Sequence, residues 1–153
     1  MDEADRRLLI AVQKDASASQ AELAEQAGVS ASQVSRRLAK LKEDHILRGI
    51  VGVLEPKLVG LTCSAIIRVR LRDHAAASVR AFRDLVERMH EVTFCVMTTG
   101  ETDYLMKVVA RDLPHFQEIV QLQLLRCPAI AHMESSIVLE HLKDTTELPL
   151  RRT

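Results

Sequence analysis

The chain has 153 residues, of which 47% are hydrophobic and 27% are charged, and its formal net charge is zero. This length suits one compact domain or two small ones, and no apolar run approaches the roughly 20 residues that span a bilayer, so we expect no membrane partner. Residues 1–5 are acidic, which is unlike a secretory signal or a transit peptide, and we therefore expect a cytoplasmic protein. With no Trp, one Tyr and three Phe, the chain has little material for stacking single-stranded bases.

The three cysteines, Cys63, Cys95 and Cys127, form no Cys-x-x-Cys pair, and none lies beside a histidine pair with metal-ligand spacing. Free cysteine is a small, often buried side chain in a reducing compartment. The sequence therefore predicts no metal site and no cofactor.

The first third of the chain has the pattern of short helices. An apolar stripe marks the first helix and consists of Leu8, Leu9 and Val12. A capping box, Ser19 with Glu22, begins the second helix. Gly28 ends that helix, because a left-handed residue after a helix is least strained as glycine.

A second capping box, Ser30 with Gln33, begins a third helix. Its apolar stripe has helical spacing and consists of Val34, Leu38 and Leu41. Two capped helices separated by a three-residue turn at a glycine form a helix-turn-helix, which the sequence places at residues 20–42.

Charge is unevenly distributed around this motif. Residues 2–29 carry three basic and six acidic side chains, a formal charge of −3, whereas residues 30–48 carry five basic and two acidic side chains, a formal charge of +3. Positive charge is thus concentrated where a helix that contacts double-stranded DNA needs it.

The polar face of the third helix supplies the candidate DNA contacts. Because the N-terminal residues of such a helix reach base edges in the major groove, we expect Ser32, Gln33 and Arg36 to read bases. Arg37 and Lys40 suit phosphates, and Ser35 lies on the flank of the same face. Judged alone, these residues are also compatible with an ordinary solvated basic helix face.

The remaining chain changes to a β pattern. Residues 46–54 predict a short strand or wing that Pro56 stops, so residues 1–54 form a winged helix-turn-helix domain, and residues 55–61 form a linker. Residues 62–142 form a second domain, and residues 143–153 form a C-terminal tail. The second domain has six predicted elements in the order β-α-β-β-α-β: strand 63–72, helix 75–90, strands 92–99 and 104–110, helix 113–126 and strand 130–141.

That order predicts a ferredoxin-like fold, and the whole chain is therefore of the α+β class. The two helices cover one face of the sheet. The other face carries Ile66, and we expect it to meet a second sheet in a dimer.

Both ends of the chain resemble the Lrp/AsnC family of feast/famine regulators, and the resemblance covers nearly the whole length. It rests on matching segments in family order: residues 5–15, Glu22-Leu23-Ala24, Gly28-Val29-Ser30, Arg37-Leu38, residues 100–107 with the family's Gly-x-x-Asp-Tyr pattern, and residues 124–130 with Leu-Arg-x-Pro. The resemblance implies a transcriptional regulator that pairs with itself as a homodimer, or as an octamer of four dimers, and that binds a free amino acid between subunits.

The candidate effector-binding residues lie in the Gly-x-x-Asp-Tyr segment and are Gly100, Thr102, Asp103 and Tyr104. A zwitterionic amino acid needs a carboxylate for its ammonium group, which Asp103 offers, and N–H or hydroxyl donors for its carboxylate. The competing interpretation is structural: Gly100 and Asp103 shape a turn, and Tyr104 is a core residue.

Two other functions remain open at this point. Some proteins with this two-domain layout are sirohaem decarboxylases, and an enzyme of that kind would use histidine and arginine side chains. The six histidines are scattered, none accompanies a Cys or Ser nucleophile in a recognisable motif, and only His132 is of interest, so we expect no enzyme. The second alternative is a ligand-binding assembly module without DNA contact.

Overall fold

The computed structural model describes residues 1–150, which divide into two compact units. The helical unit consists of Met1–Val53 together with the segment that starts at Lys143, and the sheet unit is Leu54–Leu142. The segment 55–61, predicted as a linker, thus belongs to the sheet unit, and the predicted tail belongs to the helical unit. None of the helices within residues 1–150 has the length and apolar character of a membrane span.

The helical unit contains three helices, α1 (Glu3–Lys14), α2 (Gln20–Ala27) and α3 (Ala31–Glu43). They enclose a small apolar core because each helix turns its apolar stripe inward. The buried side chains of this core are Leu8, Ala11, Val12, Leu23, Ala24, Ala27 and Val34. The three predicted helices are confirmed.

The ends of α2 and the start of α3 follow from local hydrogen bonds. The Ser19 N–H donates to Glu22 Oε2 at 2.7 Å, and the Glu22 N–H donates to Ser19 Oγ at 3.2 Å. Gly28 has a left-handed backbone with φ +69°, and the Ser30 N–H donates to Gln33 Oε1 at 3.1 Å. The helix-turn-helix predicted for residues 20–42 is therefore present.

The wing predicted over residues 46–54 is not formed: these residues belong to no strand. A strand must pair its N–H and C=O groups with a neighbouring strand, and the described part of the helical unit contains no second strand. Gly49 and Gly52 further weaken the segment as a strand. Alternating apolar residues alone were therefore an insufficient signal, and Val51 and Val53 are exposed instead.

The sheet unit has the predicted β-α-β-β-α-β order. Its elements are β1 (Cys63–Leu71), α4 (Ala76–Arg88), β2 (Val92–Met97), β3 (Tyr104–Ala110), α5 (Leu113–Ile119) and β4 (Ile130–Ile137). The strands lie in the order β2-β3-β1-β4 with antiparallel neighbours, which confirms the ferredoxin-like prediction. The second helix is shorter than predicted, because a wider π-type turn at Val120–Leu124 follows α5.

The core of the sheet unit lies between the sheet and its two helices. Side chains of β1 alternate as predicted, with Ala65, Ile67, Val69 and Leu71 buried. Phe82 of α4 and Phe116 of α5 are buried in the same cluster. On the opposite face of β1, Ile66 is half-buried, and Arg68 and Arg70 are exposed.

Candidate DNA-binding helix and effector turn

Four of the six predicted DNA-contacting side chains are exposed on α3, namely Ser32, Ser35, Arg36 and Lys40. Ser32, Arg36 and Lys40 are spaced four residues apart, so they follow one another along one face of the helix. Val34 and Leu41 are buried on the other side and hold the helix against its own unit. These four side chains thus place two cations and two hydroxyls on the outer surface of the helix.

The other two predicted residues, Gln33 and Arg37, are half-buried and already hold internal partners. The Gln33 side chain caps its own helix through the bond from the Ser30 N–H. Arg37 Nη1 donates to Asp2 Oδ2 at 2.8 Å and to Asp5 Oδ1 at 2.6 Å. Arg37 therefore lies on the face of α3 that meets the start of α1.

The acidic pair that binds Arg37 is also the capping box of α1. The Asp2 N–H donates to Asp5 Oδ2 at 2.8 Å, and the Asp5 N–H donates to Asp2 Oδ1 at 2.7 Å. Each carboxylate thus uses one oxygen to cap α1 and the other to bind Arg37. The Asp5 N–H and the Arg37 guanidinium lower the pKa of Asp2 to about 2, and both carboxylates raise the pKa of Arg37.

A groove of about 610 Å³ runs between the start of α1 and the side of α3. Its lining is of mixed charge and consists of Met1, Asp2, Asp5, Arg36, Arg37, Lys40, Leu41, Asp44 and Ile46. Arg36 and Lys40 thus border a region where acidic side chains are close, and the pairing of Arg37 with Asp2 and Asp5 offsets part of that negative charge.

The candidate effector residues lie in the turn between β2 and β3, which its own hydrogen bonds close. The Thr98 N–H donates to the Asp103 carbonyl at 2.8 Å, and Thr98 Oγ1 donates to the Thr102 carbonyl at 2.9 Å. Gly100 has φ +109°, a conformation that other residues rarely adopt. The structure therefore brings Gly100, Thr102 and Asp103 together in one compact turn.

Asp103 joins this turn to the end of β1. Its N–H donates to the Val69 carbonyl at 2.9 Å, and its Oδ2 accepts from the Leu71 N–H at 2.7 Å. The other carboxylate oxygen, Oδ1, lies 3.5 Å from His74 Nε2. One oxygen of the Asp103 carboxylate thus makes a structural hydrogen bond, and the other faces the exposed imidazole of His74.

Tyr104 lies in the core instead of beside the Asp103 carboxylate. The residue is 6% exposed, and its ring packs against Phe82 with ring centroids 4.5 Å apart and an angle of 41° between the planes. Tyr104 is the first residue of β3 and is buried, whereas Asp103 belongs to the turn and binds the Leu71 N–H. The ring of Tyr104 faces α4.

Sequence reasoning missed two residues at the turn, Arg70 and His74. Arg70 donates from Nε and Nη2 to the Glu101 carbonyl at 3.0 and 2.8 Å. The signal was available in the predicted topology, because antiparallel pairing of β1 with β3 sets Val69 opposite Tyr104 and places the end of β1 beside the turn.

The residues relevant to enzyme chemistry form no cluster. Among residues 1–150, no group of three or more His, Cys, Asp or Glu side chains is arranged to hold a metal ion. Burial raises the pKa of the Cys63 and Cys95 thiols, which makes them weaker nucleophiles at neutral pH. His132 is exposed on β4, and it lies opposite Arg70 in the register of β1 and β4.

Comparison with protein families and curated proteins gives matches to both units. A model of the AsnC-type helix-turn-helix domain matches residues 1–42, and a model of the Lrp/AsnC ligand binding domain matches residues 64–148. The chain is 32% identical to the DNA-binding transcriptional activator DecR of Escherichia coli, over 98% of this chain and 99% of that protein. It is 24% identical to the leucine-responsive regulatory protein of Escherichia coli, over 99% of this chain and 92% of that protein.

Solved structures give similar matches. A transcriptional regulator from Neisseria meningitidis, crystallised in complex with L-Met, is 35% identical with a TM-score of 0.93, covering 98% of this chain and 97% of that one. The AsnC structure from Escherichia coli is 30% identical with a TM-score of 0.86, covering 97% of this chain and 99% of that one.

Proposed function

The chain belongs to the Lrp/AsnC family of transcriptional regulators, and from that premise we propose that the exposed face of α3 reads a specific sequence in double-stranded DNA. As a family member, the protein is a regulator with a helix-turn-helix domain and a ligand-binding domain, and it is not an enzyme. The alternative of a sirohaem-decarboxylase-like enzyme is therefore wrong.

The observation that carries the DNA proposal is the split of polar side chains on α3. Ser32, Ser35, Arg36 and Lys40 are exposed on a helix whose opposite side is buried, so the major groove has free access to them. Arg36 has the fork geometry for guanine O6 and N7, whereas Lys40 suits phosphate. Gln33 reads a base only by giving up part of its cap, since adenine needs both its amide oxygen and its amide nitrogen.

The DNA proposal is tested by binding to the region upstream of the protein's own gene, measured by fluorescence anisotropy at several salt concentrations. Arg36→Ala with Lys40→Ala should weaken binding by about tenfold or more, since each good base contact is worth ~1–3 kcal/mol. The salt dependence should also become shallower, because fewer counterions are released.

The matched control is Arg80→Ala with Arg83→Ala, which removes two exposed arginines from α4. If this control and the α3 variant bind equally well, DNA contact by α3 is refuted. If the wild-type protein binds no duplex at all, the remaining alternative of a ligand-binding assembly module is favoured.

We further propose that the turn at residues 98–103 binds a free amino acid between subunits of a homodimer or of an octamer built from four dimers. The support is the second oxygen of Asp103, Oδ1, which suits an ammonium group and lies beside the exposed His74 imidazole and near the Gly100 and Thr102 backbone. Tyr104 enters this proposal only as the core residue that anchors β3 at the turn.

Cytoplasmic location stays a prediction.

The effector proposal is tested by thermal shift with single amino acids. L-methionine and L-leucine come first, because one similar structure is a complex with L-Met and one relative is named a leucine-responsive regulatory protein. A ligand at 100 times its Kd should add roughly 2.7 kcal/mol of stability. Asp103→Asn keeps the acceptor for the Leu71 N–H and removes the charge, so it should abolish the shift. Glu101→Gln removes a neighbouring exposed charge and should leave the shift intact; equal responses of the two variants would refute the site.

A further inference from the structure

The two adjacent arginines of α3 have different surroundings. Arg36 is exposed, whereas the Arg37 side chain keeps 23% of its exposure and binds two carboxylates. Nη1 of Arg37 takes both contacts, at 2.8 Å to Asp2 and 2.6 Å to Asp5. Arg37 could therefore donate from Nη1 to a DNA phosphate only after both of these ion pairs were broken.

The two carboxylates that accept from Arg37 are held in place by the fold. Asp2 and Asp5 are bound to each other's backbone N–H groups, so their remaining oxygens have a set position at the start of α1. Asp5 is the more covered of the two carboxylates, with 17% of its side chain exposed against 57% for Asp2. The network therefore ties a point in the middle of α3 to the first turn of α1, and α1 is held by Leu8 and Val12 in the core.

We propose that Arg37, clamped by Asp2 and Asp5, is a positioning residue that sets the orientation of α3 for base reading. This role rests on the proposed DNA binding by α3, and it replaces the phosphate contact predicted for Arg37 from sequence. A shift of about 1 Å in a supporting element is enough to lose a well-aligned contact, because hydrogen bonds weaken steeply with distance and angle. Arg36, one residue away on the exposed face, would move with the helix in such a shift.

Positioning and phosphate contact predict different patterns of DNA binding. A phosphate contact contributes to every duplex alike and adds about 0.9 to the salt dependence of log affinity. A positioning residue affects only the sequence whose bases are read and leaves the salt dependence unchanged. Neutralising Asp5 separates the two further: loss of a competitor for Arg37 would tighten DNA binding, whereas loss of the clamp weakens it.

The experiment measures anisotropy for the full chain on two duplexes of equal length, its own upstream region and a shuffled version, across a range of salt. The variants are Asp5→Asn, Arg37→Gln and their combination. Asp5→Asn keeps an amide oxygen that caps α1, and thermal unfolding confirms that each variant is folded at the assay temperature. Glu25→Gln, at an exposed carboxylate of α2, measures the effect of removing one negative charge from the same unit.

We expect Asp5→Asn and Arg37→Gln each to weaken binding to the upstream region by about threefold to tenfold, and the combination to add little, because both break one network. Binding to the shuffled duplex should stay within about twofold, with an unchanged salt dependence. The role is overturned if Arg37→Gln weakens both duplexes alike with a shallower salt dependence, or if Asp5→Asn behaves like Glu25→Gln. If the wild type binds neither duplex, the proposed function fails first, which distinguishes the two failures.

Discussion

Helix α3 and the turn at residues 98–103 use their polar side chains in opposite ways. On α3, the side chains that hold the helix and those that face outward are different residues: Arg37 is paired internally, and Arg36 is free to contact a ligand. In the turn, a single residue combines the two roles, because Asp103 binds the Leu71 N–H with one oxygen and turns the other toward the exposed His74. If both proposed sites are correct, recognition on α3 is separable from folding, and recognition at the turn is not.

Removal of the Asp103 carboxylate tests this difference with the largest expected effect. Asp103→Ala should lower the free energy of unfolding by about 1–3 kcal/mol, because it leaves the N–H of the buried Leu71 without its acceptor. Arg36→Ala on α3 should change it by less than about 0.5 kcal/mol, as at other exposed positions. Urea denaturation of both variants gives the comparison, and equal losses would erase the contrast between the two regions.

The end of α3 offers a gain in stability that leaves its recognition face untouched. His45, just after the helix, has a left-handed backbone with φ +56°, and the Ile46 N–H returns to the Leu41 carbonyl at 2.9 Å. Glycine adopts this backbone without strain, so His45→Gly should stabilise the helical unit by about 0.5–1 kcal/mol. Thermal unfolding measures this; a loss of stability would show that the imidazole contributes a contact that outweighs the backbone strain.

The acidic cap of α1 predicts a pH dependence confined to the helical unit. Asp2 has a pKa of about 2 in the folded chain, below its ordinary value of 3.8, so its carboxylate stabilises the fold above about pH 4. That contribution is lost as the pH falls from about 4 to 2. The difference in Tm between the wild type and Asp2→Asn should therefore be constant above about pH 5 and shrink toward pH 2; a constant difference throughout would contradict the hydrogen bonds from Asp5 and Arg37.

The smallest expected effect concerns the C-terminal segment. The Gln13 amide accepts from the Leu148 N–H at 2.7 Å and donates to the Leu148 carbonyl at 3.3 Å, on the surface of the helical unit. Gln13→Ala should cost only about 0.5 kcal/mol in unfolding, since the bonds are exposed. Hydrogen exchange at the Leu148 amide should accelerate strongly. An unchanged exchange rate would show that Gln13 does not hold this segment against the helical unit.

Local patterns were sufficient to predict most of the fold. Capping boxes and Gly28 define α2 and the start of α3 because their bonds join residues three or four apart. The buried face of β1 was also predictable from local sequence, because side chains alternate between the two faces of a strand. The wing failed because a strand depends on a partner that its own residues do not specify, and the π-type turn after α5 has no comparable local signal.

The sites were less predictable, because their decisive contacts join residues far apart in sequence. Arg37 lies 32 and 35 positions from its two carboxylates, and Asp103 lies 32 positions from the Leu71 N–H. Residue type and helical face identified Arg36 and Arg37 as equivalent candidates. Only the packing of α1 against α3 shows that they differ.

Base reading by the exposed face of α3 is tested most directly by replacing single guanines of the bound upstream duplex with 7-deazaguanine, which lacks the N7 acceptor. For the wild type, at least one guanine position should lose about tenfold in affinity, since a bidentate arginine–guanine pair is worth ~1–3 kcal/mol. For Arg36→Ala, the same replacement should cause no further loss. Wild-type binding that is insensitive at every position, or an Arg36→Ala variant that responds as strongly as the wild type, would contradict base reading by this helix face.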